Sequence, residues 1–271
     1  MGATEAATTI GVFDSGFGGL TVLRELLPLV PGAHYIYLGD TARLPYGAKS
    51  QATIARYAVE SARFLESRGA EHLVIACNTA SALAMREIRE AVRIPVTGVI
   101  EPVVCAAQQQ HPDAQVLVLA TSATVQSHAY RLHCAAHGLN ATEKACPLLV
   151  PLVEEGWIDH PVTRDVLRIY LQEALATCSP EAVLLGCTHY PLIASAIEAT
   201  LRELGSQAAV IDSAKATAIA VQSGLELSGE GPSAPATFEC FATDSVEKFE
   251  LLGSRFLGRP VKGVQLVDLG G

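Results

Sequence analysis

The feature that most constrains this chain is an alternation. Brief apolar or β-branched runs bounded by turn residues are separated by stretches whose apolar residues recur at helical spacing. The runs are "TIGVF" (9–13), "HYIYL" (34–38), "HLVIA" (72–76), "PVTGV" (95–99), "QVLVLA" (115–120), "AVLLG" (182–186), "AAVI" (208–211) and "ATFECF" (236–241). Between them, Ala84, Ile88, Ala91 and Val92 share one helical face, and Ile193, Ala196, Ile197, Thr200, Leu201 and Leu204 share another. Parallel strands need long crossovers and cover on both faces, so the pattern predicts an α/β fold of mainly parallel sheets with helices on both sides, three layers in all. Sites in such sheets form at the carboxyl ends of strands.

Two of the runs end alike. "VIACNTAS" (74–81) and "LLGCTHYP" (184–191) each pass from a strand into a cysteine, a turn with hydroxyl side chains and a helix. A second pair, "IGVFDSGFGGLTVLREL" and "VLVLATSATVQSHAYRL", precedes the two cysteines by comparable distances. The chain therefore reads as two related α/β halves about a pseudo-twofold axis, with the site in the cleft between them and one cysteine on each wall. Residues 1–98 and 209–271 are expected to form the first domain, the C-terminal segment returning to complete it, and 99–208 the second. Residues 1–9 are expected to be a disordered extension.

With 49% hydrophobic residues over 271 positions, each half can bury a real core. The net charge of −9 comes with no basic cluster, which disfavours sequence-independent nucleic-acid binding. No apolar run approaches the roughly 18 residues of a membrane span. The start is neither basic nor apolar, and Ala6 stands where myristoylation wants Ser or Thr, so the expected location is the cytoplasm, off the membrane. Seven cysteines, an odd number without any Cys-x-x-Cys pair, point to free thiols.

Cys77 sits where a strand gives way to a helix, and the N–H groups of a helix start are expected to lower its thiol pKa. Asn78, Thr79 and Ser81 add donors able to bind a carboxylate. Taken alone, Cys77 reads equally well as a small buried hydrophobe with Asn78 or Thr79 as a cap; the second copy at Cys187, followed by Thr188 and His189, favours chemistry, because an imidazole near a thiol can move its proton. Asp14 and Ser15 end the first strand, pointing at the same cleft. A zinc site from Cys77, Cys187, His189 and Asp14 lacks the close ligand pairs of structural zinc, so no metal is expected. Gly16-x-Gly18, with Asp40 after the next strand, resembles a dinucleotide fingerprint, but Thr21 occupies the third glycine place and Asp14 puts negative charge where a pyrophosphate would lie. "ARLPYGAKS" (42–50) reads as an ordered loop offering Tyr46 to a ligand. Glu154 and Glu155 read as charges at a helix end, and Cys105, Cys134, Cys146, Cys178 and Cys240 as packing residues.

In order along the chain, "FDSGFGGL", "ARLPYGAKS", "ACNTAS", "PLVEEG" and "GCTHYP" resemble the aspartate/glutamate racemase superfamily, and within it the glutamate racemases, over roughly residues 10 to 260. The resemblance implies interconversion of L- and D-glutamate for peptidoglycan synthesis, without a cofactor, by a protein whose partner is a second copy of itself in a homodimer. It implies Cys77 and Cys187 as the catalytic thiols, the first acting on D-glutamate and the second on L-glutamate. Asp14 and His189 would assist, with Glu154 a further charged neighbour, and Ser15, Tyr46, Gly47, Asn78, Thr79, Thr121 and Thr188 would hold the substrate. Two departures concern fine contacts: Ala120-Thr121 replaces a Gly-Thr pair, and "CFATDS" near the C-terminus lacks a glycine. Open alternatives are a superfamily relative acting on aspartate, a hydantoin or maleate, and a nucleotide-binding module built on "GFGG".

Overall fold

The computed structural model describes residues 8–225 and 235–270. The expected N-terminal extension lies outside them except for its end, where Thr9 already opens the first strand. The strands are β1 (Thr9–Asp14), β2 (His34–Gly39), β3 (His72–Ile75), β4 (Val96–Gly98), β5 (Gln115–Ala120), β6 (Asn140–Ala145), β7 (Ala182–Gly186), β8 (Ala209–Asp212), β9 (Thr237–Ala242) and β10 (Gln265–Leu266). They form two sheets, ordered β10-β9-β2-β1-β3-β4 and β6-β5-β7-β8. Every pairing is parallel.

Without β9 and β10 the two sheets have one topology. The first strand of each half pairs with the second and the third, and the fourth lies outside the third. The duplication read from the cysteine segments is thus present in the strand order. Successive residues of the first sheet alternate between two cores: Tyr35 and Tyr37 of β2 face the larger cluster, shared with the second half, while Ile36 and Leu38 face a smaller one beneath helix Gln51–Ser67. In the second sheet, Val183, Leu184 and Leu185 of β7 have no exposed surface, as a central parallel strand covered on both faces requires.

All eight expected strands are present, and both expected helical faces are the buried ones. β6 was not expected, because "NATEKA" has no apolar run. It lies at the sheet edge, where one ladder side meets solvent and polar residues such as Glu143 and Lys144 are tolerated. β10, two residues long, carries no pattern to read. β8 also alters an expectation: it pairs with β7, so the chain leaves the second sheet after Asp212 and not at residue 208. Among the described residues no helix is long and apolar enough to cross a membrane.

At the carboxyl end of β2 the backbone of Gly16 comes so close that a Cβ on Gly39 would stand 2.3 Å from its carbonyl oxygen and 2.5 Å from Phe249. Gly39→Ala is therefore expected to destabilise the protein by about 1–3 kcal/mol through overpacking, read as a lower urea midpoint with an unchanged slope.

Candidate active site

Asp14 and the residues just beyond β3, β5 and β7, namely Cys77, Thr121 and Cys187, mark the carboxyl ends of the two central strands in each half. Cys77 and Thr121 serve as N-caps: the Cys77 sulfur accepts from Ala80 N–H at 3.4 Å, and Thr121 Oγ1 accepts from Thr124 N–H at 3.4 Å. The strand-to-helix turns that place these groups thus use the same atoms to start their helices.

The turn "DSGFGG" touches the other half. A Cβ on Gly18 would stand 2.4 Å from Thr188 Oγ1 and 2.7 Å from His189, so only glycine fits. Thr21, the residue that spoiled the dinucleotide fingerprint, donates from its hydroxyl to the Thr188 carbonyl at 3.0 Å. The glycine run makes a close approach between halves and not a phosphate cradle. Nearby, the hydroxyls of Thr79, Thr121 and Thr124 lie within 2.9 to 3.3 Å of one another, again across the halves.

On the first wall, the Cys77 sulfur lies 3.5 Å from Ser15 Oγ. The expected lowering of its pKa is overturned: burial first, and then the charge of Asp14, push the thiol up to about 12, outweighing the help of Ser15 and the Ala80 N–H. A helix of six residues supplies too little field to offset full desolvation. Burial likewise raises the carboxyl of Asp14, opposed by His189 and by the N–H groups of Gly16, Gly19 and Ser15.

On the second wall the groups form a chain. Cys187 Sγ lies 3.8 Å from His189 Nδ1, and His189 Nε2 lies 3.1 Å from Glu154 Oε1. Glu154 is thus a partner of the imidazole and not a solvated charge, and Arg255 fixes its backbone by donating to its carbonyl at 3.1 Å. Burial works against a charge on His189, but hydrogen bonds and charge from Cys187 and Glu154 prevail and raise it to about 10. Phe17 and Phe256 stand edge-on to the ring, at 6.4 and 5.0 Å between centroids.

Two buried polar atoms here have no partner among the described residues. One is Asp14 Oδ1, an acceptor; the other is Asn78 Nδ2, a donor. Their other ends are fixed, Asp14 Oδ2 by Gly16 N–H at 2.9 Å and Asn78 Oδ1 by the Tyr130 hydroxyl at 2.6 Å. Unmet groups of opposite kind fit a ligand that brings both a cation and an anion, as an amino acid does. Tyr46 is buried and its hydroxyl donates to Asp40, and in the same loop a Cβ on Gly47 would stand 3.5 Å from Thr121. Tyr130, Thr124 and Thr21 escaped the sequence reading. The only signal for Thr21 was its misfit to a motif, and Tyr130 sits in a helix with nothing to mark it.

Among known proteins, the family Asp/Glu/Hydantoin racemase matches residues 10–221. A glutamate racemase of Koribacter versatilis is 52% identical over 97% of this chain and 98% of its own length. The crystal structure of glutamate racemase from Thermus thermophilus with beta-chloro-D-alanine superposes with a TM-score of 0.86 at 42% identity, covering 98% of this chain and 99% of that one. That from Francisella tularensis with D-glutamate gives 0.86 at 33% identity, covering 98% and 99%.

A raised imidazole stabilises the folded state as long as it holds its proton there. Its contribution is whole below the ordinary value of 6.5 and is lost as pH rises through about 10. Unfolding midpoints are expected to fall across that window. In Glu154→Gln, which removes one of the stabilising contacts, the fall should be shallower and the imidazole NMR titration should move toward the ordinary range.

Proposed function

The chain belongs to the Asp/Glu/Hydantoin racemase family, and from that premise we propose that it interconverts L- and D-glutamate with two thiols acting from opposite faces of the substrate. It is an amino-acid racemase, and the two unmet atoms of Asp14 and Asn78 are the observation that carries the substrate assignment. The α-ammonium lies toward Asp14 and the α-carboxylate toward Asn78 Nδ2 and the hydroxyls of Thr79, Thr121 and Thr188. Ser15 and Gly47 close the wall around them.

Racemisation takes a proton from one face of Cα and returns one to the other, so two acid/base groups suffice. Cys77 works on one face and Cys187 on the other, one as thiolate and one as thiol, and they exchange roles with direction. His189, backed by Glu154, passes protons to and from Cys187. On the opposite side the charge of Asp14 is one cause of the raised Cys77 thiol. An ammonium beside Asp14 cancels that charge, so the substrate itself eases release of the Cys77 proton. Donors at the carboxylate steady the carbanionic transition state.

Neither a metal nor an organic cofactor enters this scheme. We further propose two domains, residues 1–98 with 213–271 and 99–212, a homodimeric assembly, a cytoplasmic location, and D-glutamate supply for peptidoglycan as the role.

L-Glutamate incubated with the protein in heavy water should lose its optical signal and gain deuterium at Cα. Cys77→Ala and Cys187→Ala should each lose about 10²–10⁴-fold or more in turnover with folding intact by circular dichroism. Asp14→Asn should lower kcat and raise KM together. Full activity of either cysteine variant would remove the two-thiol scheme, and turnover of aspartate alone would move the substrate.

A further inference from the structure

Outside the cleft, helices Ile100–Gln110 and Ala129–Ala136 lie side by side in the second half. Glu101 and Cys105 are one turn apart on the first; His133 and His137 are one turn apart at the end of the second. Cys105 was expected to be a packing residue. It is instead half-buried, with its sulfur 3.8 Å from Glu101 Oε1 and 3.6 Å from His137 Nε2, while Glu101 Oε1 and His137 Nε2 are 3.2 Å apart.

We propose that Glu101, Cys105 and His137 form a site for a divalent transition-metal ion of the zinc class. The donor set of carboxylate, thiol and imidazole suits that ion and disfavours calcium or magnesium, which take oxygen. With bonds of about 2.0–2.3 Å, the edges of a tetrahedron measure roughly 3.3–3.8 Å. The three separations lie at or close to this span, so one triangular face of the coordination shell is laid out already.

The outer contacts agree. His137 Nδ1 donates to the His133 carbonyl at 2.9 Å, which leaves the lone pair on Nε2, facing Cys105 and Glu101. This backbone hold on the far nitrogen is what ligating histidines use to fix tautomer and ring orientation. His133 Nδ1 lies 2.5 Å from Glu101 Oε2, so it orients the carboxylate as a positioning residue while Oε1 turns inward. Binding releases the Cys105 thiol proton to solvent and leaves a thiolate on the metal; no redox change occurs. Water takes the fourth position. The site departs from the expectation of a metal-free protein, and it is separate from the racemase reading, since none of its residues belongs to the cleft.

The test is to strip the whole protein with a chelator, remove the chelator, and titrate with cobalt(II), whose thiolate charge-transfer band and tetrahedral visible bands report the ligands directly. One equivalent is expected to bind and to be displaced by zinc. The thiolate band should vanish in Cys105→Ser, and in His137→Gln the tetrahedral bands should be lost. Removal of the orienting ring in His133→Ala should weaken binding about 10–100-fold with the band retained. A double Cys77→Ser, Cys187→Ser variant should keep the band, which separates this site from the cleft thiols. Zinc should also raise the melting temperature of the native chain and not of Cys105→Ser. No band in the native protein, a band that survives Cys105→Ser, a band lost with the cleft cysteines, or binding only in millimolar excess would each overturn the proposal.

Discussion

Everything in the cleft depends on one close approach, that of the first strand-to-helix turn against Thr188 and His189. Gly18 leaves no room for a side chain there, and the Thr21 hydroxyl ties the same point down through the Thr188 carbonyl. Because that turn belongs to β1 and Thr188 follows β7, this contact brings together the strand ends of two sheets that share no strand. The burial of Asp14, the edge-on packing of Phe17 on His189 and the field that His189 exerts on Asp14 all follow from it. A glycine that a sequence reader takes for a phosphate-binding feature serves packing between halves.

The electrostatics of the cleft follow from desolvation more than from helix ends. Asp14 and Cys77 are both pushed toward their neutral forms by burial, while His189 is drawn toward its charged form by partners on both ring nitrogens. The two walls are therefore unlike in kind although they are alike in fold. One holds a thiol pushed up by burial beside a buried carboxyl, the other Cys187 beside a charged imidazole backed by Glu154. Topological symmetry with chemical asymmetry is what a substrate with distinct ends requires.

Much of this was legible in the sequence because parallel strands buried on both faces must be apolar throughout, and such runs stand out against polar turns. The cysteine turns were legible because they occur twice. β6 was not, since an edge strand need not be apolar, and neither was the ordering of the hydroxyl cluster, since Thr124 and Tyr130 reach Thr79 and Asn78 from the other half of the chain. The thiol of Cys77 was misjudged for a related reason: a helix start is visible in sequence, whereas the depth of burial that overrides it is a property of the assembled molecule. Cys105 looked inert because its imidazole partner, His137, sits at the end of another helix.

The pairing of β2 with β9, in register from His34 with Thr237 to Gly39 with Ala242, has a consequence for synthesis. The second sheet draws its four strands from one continuous stretch and has all of them once Asp212 has left the ribosome. The first sheet leads the chain yet closes last. Until the C-terminal segment emerges, the hydrogen-bonding edge of β2 has no neighbour on that side, and so the half that is translated first is the half whose sheet edge stays open longest.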